Sequence, residues 1–186
     1  MNVLFRLCVL LCAAFLAACA SVAPPPVERG PAFELAGRLA VRYQERGFSS
    51  ALRWKQTAGR DELWLTTPLG QTVGYLEADA NGATLTAQDQ RQYRAGSIES
   101  LTKSAFGWRF PVDGLRYWIF GEAPPGTPPG AIERDGARRI ARVKDGDWQV
   151  AFIYPSDDAK RPSRLEIAGN DAEIRVVIDK LTRDAQ

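Results

Sequence analysis

The chain has 186 residues, a formal charge of +2, 45% hydrophobic residues and no histidine. So balanced a charge leaves no global electrostatic footprint of a nucleic-acid binder, and the missing histidine removes the commonest general base and the commonest metal ligand together. The pattern Gly-x-x-x-x-Gly-Lys-Ser/Thr is also missing from the sequence, so there is no P-loop through which nucleotide could drive work.

The N-terminus carries one basic residue, Arg6, followed by the apolar run 7–18, the charged-then-apolar order of an export signal. Twelve helical residues rise about 18 Å, short of the roughly 30 Å hydrocarbon core, which disfavours a membrane span. Leu16-Ala17-Ala18-Cys19 resembles the lipobox of bacterial lipoproteins. That resemblance implies that residues 1–18 are a signal peptide and that Cys19 is acylated on its thiol and its amino group. One acyl chain anchors only marginally at about 0.8 kcal/mol per methylene, whereas a triacylated Cys stays in the bilayer. Ala20 and Ser21 lack the Asp that retains many lipoproteins at the inner membrane, which implies an outer-membrane anchor facing the periplasm. Cys8 and Cys12 leave with the signal, so no disulfide forms within the mature chain. Residues 19–32 then read as lipidated Cys and proline-rich tether, extending about 3.1 Å per residue in the polyproline form.

Residues 33–186 are expected to form one domain. Phe33, Leu35, Leu39, Val41 and Tyr43 alternate with Glu34, Arg38 and Arg42 as in a half-buried strand. Phe48, Leu52 and Trp54 repeat the pattern; Leu63 and Leu65 precede a Pro-Leu-Gly break; Val73 and Tyr75 follow it; and 83–87 follows the turn Asn81-Gly82. Ser97 is placed to cap a helix carrying Ile98, Leu101, Ala105 and Phe106 on one side. A second short helix is expected over 113–120, closed by Gly121, and the loop 122–130 with four prolines and two glycines is irregular. Strands resume at 139–144, turn at Asp145-Gly146-Asp147, continue through Trp148, Val150, Phe152 and Tyr154, and end with Leu165, Ile167, the turn Gly169-Asn170, and Ile174, Val176 and Ile178. About ten antiparallel strands with two or three short helices imply a mainly β, strongly curved sheet whose concave face is closed by side chains or by the helices.

Residues for catalysis are scarce. Ser100-Leu101-Thr102-Lys103 matches the Ser-x-x-Lys pattern of penicillin-recognising enzymes, but the partner motifs Ser-Asp-Asn and Lys-Thr-Gly are missing, and an exposed polar helix face is the simpler reading. Asp61-Glu62 and Asp157-Asp158 sit beside turn signals and are read as solvated carboxylates. Asp145-Gly146-Asp147 lacks the further oxygen ligands of a calcium loop. The basic segment 138–144 reads as a strand with outward charge that can meet anionic surfaces. No cofactor, metal or catalytic residue is expected. In Thr67-Pro68-Leu69-Gly70, Pro68 and Gly70 take the second and fourth positions of a turn and leave the large aliphatic Leu69 at its tip. Exposure there forfeits the roughly 1.5 to 3 kcal/mol that burial would give, so lipid or the sheet must cover it.

Leu35-Ala36-Gly37-Arg38-Leu39-Ala40-Val41, Leu52-Arg53-Trp54, Leu65-Thr66-Thr67-Pro68-Leu69-Gly70, Phe106-Gly107-Trp108-Arg109-Phe110-Pro111-Val112, Leu115-Arg116-Tyr117-Trp118-Ile119-Phe120-Gly121 and Asp147-Trp148-Gln149-Val150 resemble, in order and spacing, the successive motifs of the LolB outer-membrane lipoprotein receptors. The resemblance implies an unclosed antiparallel β-barrel with helices filling its concavity. It also implies a receptor, without enzymatic activity, that takes triacylated lipoproteins from the periplasmic carrier LolA and inserts them into the inner leaflet of the outer membrane, with Leu69 serving the insertion step. Its implied partners are the carrier, the acyl chains and outer-membrane phospholipid, with no nucleic acid, and the chain acts as a monomer. Candidates for the acyl-chain cavity are Trp54, Leu65, Tyr75, Leu101, Leu115, Trp118, Trp148, Val150 and Phe152, large apolar residues suited to an apolar pocket. The competing reading is an outer-membrane lipoprotein that scaffolds an envelope assembly, with a filled core and no lipid ligand.

Overall fold

The computed structural model describes residues 32–57, 59–169 and 172–183. The expected signal peptide, Cys19, the tether up to residue 31 and the turn residue Asn170 lie outside them. Eleven strands form one antiparallel sheet. They are β1 (Phe33–Tyr43), β2 (Arg46–Thr57), β3 (Arg60–Thr66), β4 (Thr72–Asp79), β5 (Gly82–Ala87), β6 (Gln92–Ala95), β7 (Ile132–Arg134), β8 (Ile140–Asp145), β9 (Trp148–Ile153), β10 (Arg164–Ala168) and β11 (Ala172–Arg183). Their order in space is β6-β5-β4-β3-β2-β1-β11-β10-β9-β8-β7. The first and last strands therefore pair at the centre of the sheet, Leu39 opposite Val176 and Val41 opposite Ile174, while β6 and β7 form two separate edges. The sheet is an unclosed barrel, as expected.

The alternation seen in the sequence is the alternation of faces. Leu35 opposes Trp54, which opposes Leu63, which opposes Leu76, which opposes Leu85, and all five are buried. Each of the four leucines contributes about 1.5 to 3 kcal/mol by leaving water. The rungs hold register because a one-residue slip would turn every one of them outward. Gly37 is the exception that permits curvature. The β1–β11 pairing shifts register beside it, and a Cβ there would lie 2.0 Å from the carbonyl oxygen of Val177.

The chain leaves one sheet edge at β6 and rejoins at the other at β7, so the connection must cross the open side of the curve. That crossing carries the two helices, α1 (Ile98–Phe106) and α2 (Val112–Trp118). Ser97 caps α1: its hydroxyl accepts from the backbone N–H of Ser100, and the Ser100 side chain answers the N–H of Ser97. Gly107, with φ 86°, ends α1 by donating its N–H to the carbonyl of Lys103. The second helix starts one residue earlier and stops two residues earlier than the expected 113–120, and Gly121, at φ 77°, takes the left-handed conformation of a chain reversal. Ile98, Leu101, Leu115 and Trp118 point into the sheet.

Two expectations change. Asp61, read as a solvated turn carboxylate, is fully buried on an inward rung of β3 opposite Gln56. It accepts a hydrogen bond from the indole N–H of Trp54 at 3.0 Å and pairs with Arg116 of α2. The two edge strands β6 and β7 add to the expected set, making eleven where about ten were expected.

Candidate functional site

The β3–β4 connection is a tight, hydrogen-bonded turn. Gly70 donates its N–H to the carbonyl of Thr67 at 2.9 Å, and Thr67 donates to the carbonyl of Gln71 at 2.8 Å. Gln71 also donates its N–H to the hydroxyl of Thr67 at 3.2 Å. Pro68 sets the first bend, and Gly70 takes the φ of 83° that an L side chain rarely adopts. Leu69 sits at the tip and is 89% exposed, the most exposed large hydrophobic residue described. Its side chain does not fold back onto the sheet. The turn holds it out on a short, hydrogen-bonded support.

At the same end of the sheet the concave face contains a cavity of about 440 Å³, within the range of roughly 300–1,000 Å³ for small-molecule sites. Leu39, Leu63, Leu76 and Leu85 form its floor, with Trp108 and Phe110 from the α1–α2 segment above. It exists because Leu65 faces Gly74, and Gly74 faces Ala87, so two successive strands contribute almost no side-chain volume there. Phe48 on β2 and Phe106 at the end of α1 lie at its mouth, 39% and 45% exposed. The core is therefore not filled at this end. A hollow of about 1020 Å³ lined by β1, β2 and β7–β11 has a charged border, with Arg42 paired to Glu173 at 2.6 Å and Arg142 to Glu133 at 3.4 Å. Such a border suits water rather than hydrocarbon.

Of the nine residues named from the sequence for a cavity, Leu65 lines it. Trp54, Leu101, Leu115 and Trp118 are wholly excluded from solvent in the packed core below, joined by Val150 and Phe152. Trp54 meets the ring of Phe33 edge-on, 4.8 Å between centroids, and its N–H is spent on Asp61. Trp148 is half-buried over Gly169, where a Cβ would lie 2.3 Å from its ring. Tyr75 is on the opposite face. It stacks at a tilt against Trp64 across the β3–β4 pair and donates its hydroxyl proton to Glu62 at 2.9 Å. Burial and that bond to Glu62 raise the Tyr75 pKa above its ordinary value. Inward positions on β4 belong to Gly74, Leu76 and Ala78. The pair Gly74 and Ala87 carries the cavity, and the only sequence signal for it is small residues where a strand pattern asks for large ones.

The motifs weighed for catalysis and metal binding take structural places among the described residues. Ser100 is a helix cap, its hydroxyl donating to the carbonyl of Ser97 at 3.0 Å. Among the described residues no group of His, Cys, Asp or Glu is arranged to hold a metal ion, and no helix is long and apolar enough to cross a membrane. Arg139, in the basic segment, ties a loop instead. It donates to the carbonyls of Ser156, Asp157 and Ala159 at 2.8, 3.0 and 2.9 Å and stacks over Tyr154.

The family model "Outer membrane lipoprotein LolB" matches residues 31–180. The outer-membrane lipoprotein LolB of Thiobacillus denitrificans is 36% identical over 169 residues, covering 88% of this chain and 90% of that protein. That of Nitrosomonas europaea is 34% identical over 152 residues, 80% of this chain and 71% of the relative. Among solved structures, a LolA superfamily protein from Nitrosomonas europaea aligns over 89% of this chain and 90% of its own, with a TM-score of 0.47 at 6% identity.

Proposed function

This chain belongs to the LolB family of outer membrane lipoproteins, and from that premise we propose that it is an outer-membrane receptor that accepts triacylated lipoproteins from a LolA-type periplasmic carrier and releases them into the inner leaflet. Acyl chains do not cross an aqueous space exposed, so an acceptor must offer an apolar cavity. The observation that carries the reading is the position of that cavity, which opens at the same end of the sheet as the 89% exposed Leu69. Chains leaving the mouth then meet the bilayer where Leu69 enters it. Pro68 and Gly70 hold Leu69 out from the sheet, so its insertion takes little ordering of the loop.

No covalent step is needed, and no nucleotide. Transfer runs down a gradient of affinity from carrier to receptor to bilayer, since a ligand shifts an equilibrium only by its differential affinity. The leaving signal 1–18, the acylated Cys19 and the tether place the domain at the outer membrane facing the periplasm, and two or more chains on Cys19 suffice to keep it there.

A transfer assay tests the reading. The domain from Ala20 is mixed with a LolA-type carrier loaded with a labelled triacylated lipoprotein, and liposomes are then added. We expect the label to move to this domain and on to the liposomes. Label that stays on the carrier, with both proteins folded, removes the receptor reading and favours an envelope scaffold.

A further inference from the structure

The acyl-sized cavity has one charged residue in its lining, Arg46, which stands at the start of β2 where the β1–β2 turn meets the mouth. The guanidinium makes no ion pair with another described residue. Arg38, Arg42 and Arg60 pair with Asp179, Glu173 and Glu77, while Arg53 lies over the ring of Trp64 and Arg94 donates to the side chain of Gln92. Tyr43 lines the cavity beside it, and its hydroxyl accepts from the side chain of Gln44 at 3.2 Å, which leaves the phenol proton to donate. The hydroxyl of Thr102 is already committed, donating to the carbonyl of Glu99 at 3.2 Å and accepting from the N–H of Phe110 at 2.9 Å. The polar chemistry at the mouth is therefore two donors, one of them a cation without a counter-ion.

A triacylated cysteine does not call for that cation. With an amide-linked chain on its nitrogen and a diacylglyceryl group on its sulfur, it brings ester and amide carbonyls and no negative charge. Size limits the occupant as well. At about 30 Å³ per methylene-sized group, comparable to the share of one water in the liquid, 440 Å³ has room for one long chain at a time, whether it belongs to a triacylated cargo or to a free amphiphile. We propose that the cavity is a binding site for a single-chain amphiphile with an anionic head, a fatty carboxylate or a monoacyl phosphate lipid, its chain against Leu39, Leu63 and Trp108 and its head between Arg46 and Tyr43. The site rests on the acyl-cavity reading above and adds a ligand to it. Such a ligand competes with lipoprotein cargo for the same space.

The full chain reconstituted in phosphatidylcholine vesicles is titrated with cis-parinaric acid and, separately, with its methyl ester. Energy transfer from the protein's tryptophans, of which Trp108 lines the cavity, reports binding, and protein-free vesicles correct for partition into lipid. The acid is expected to bind about fivefold more tightly than the ester, the upper end for a solvent-exposed ion pair. Arg46→Gln should abolish the difference without weakening the ester, and Arg46→Lys should restore part of it. Displacement by palmitate or by palmitoyl lysophosphatidate identifies which anionic head is held, and either fits the proposal. Equal affinity for acid and ester overturns the Arg46 site while leaving the acyl cavity in place. Absence of saturable binding by both overturns the cavity reading and the proposal together.

Discussion

Arg116 of α2 and Asp61 of β3 meet at 2.5 Å inside the core, with their side chains 9% and 0% exposed. The guanidinium also reaches Asp113 at the surface, and the second oxygen of Asp61 accepts from Trp54. This pair ties the crossing segment to the floor of the sheet. Two desolvated charges that satisfy one another add little net stability, but removing one leaves the other buried without its partner. We expect Asp61→Leu to cost about 3–5 kcal/mol, and the double variant Asp61→Leu/Arg116→Met to recover most of that loss. Urea unfolding of the single and double variants measures both. Additive losses would show that the two residues act independently.

Leu69 makes no demand on the fold. Because it is 89% exposed, Leu69→Glu should change stability by less than about 0.5 kcal/mol. A charge resists entry into hydrocarbon, so the same variant should accept labelled lipoprotein from the carrier as the wild type does and deliver it to liposomes much more slowly. Intact delivery by the folded variant removes the insertion role from Leu69.

Strands whose inward residues are large were legible in the sequence, and those at the sheet's edges were not. Leu39, Val41, Leu52 and Trp54 announce β1 and β2 because both faces of the pattern are present. The edge strand β6, Gln-Tyr-Arg-Ala, is mostly exposed, and β7 has three residues and follows a proline-rich loop. Short, polar edges are what keep an open sheet from pairing with its neighbours, and the same features erase the alternation. Tyr75 was assigned to the inward face because Gly74 counts as no signal, yet Gly74 is the inward residue. The buried role of Asp61 follows from register against Gln56 and from a helix 55 residues away, and local sequence carries neither. The exposed tip of the Pro-Leu-Gly turn was legible because its turn chemistry is local.

Asp135 gives a pH dependence. It accepts from the backbone N–H groups of Ala137 and Arg139 at 3.0 and 2.9 Å and from the Arg139 guanidinium at 2.7 Å. These bonds, the Arg139 side chain first, hold its pKa below the ordinary carboxylate value. A depressed pKa in the folded state means that its contribution is present above the unfolded pKa, near 3.8, and is lost as pH falls through the lower folded value. Asp135→Asn should therefore lower the melting temperature at neutral pH, and the gap from wild type should close in acid below the usual carboxylate range. Thermal melts from pH 7 to pH 2 read this directly. A gap independent of pH would show that charge plays no part.

Gly114 reverses a rule of helix propensity. Glycine inside a helix usually costs about 0.8–1.0 kcal/mol relative to alanine. Here the indole of Trp118, one turn on and fully buried, lies over the glycine, and a Cβ would come within 2.3 Å of it. Gly114→Ala should therefore destabilise the protein by about 1–3 kcal/mol, as overpacked cores do, and should shift the tryptophan emission. Stabilisation by the alanine would mean that the core yields around Trp118.

Filling the cavity separates a receptor from a scaffold. Ala105, on α1, faces the space bounded by Leu65, Gly74 and Ala87, so a larger side chain there enters existing volume rather than displacing packed neighbours. Ala105→Phe should leave stability within about 1 kcal/mol of wild type, because added burial offsets any strain. It should also lower acceptance of labelled lipoprotein from the carrier several-fold, since the acyl chains lose the space they enter. Leu69 is untouched in this variant, so the defect should appear before delivery, opposite to Leu69→Glu. A scaffold acting through its outer surface would not register the change. Unaltered acceptance by a folded Ala105→Phe protein would mean that acyl chains bind elsewhere on the sheet.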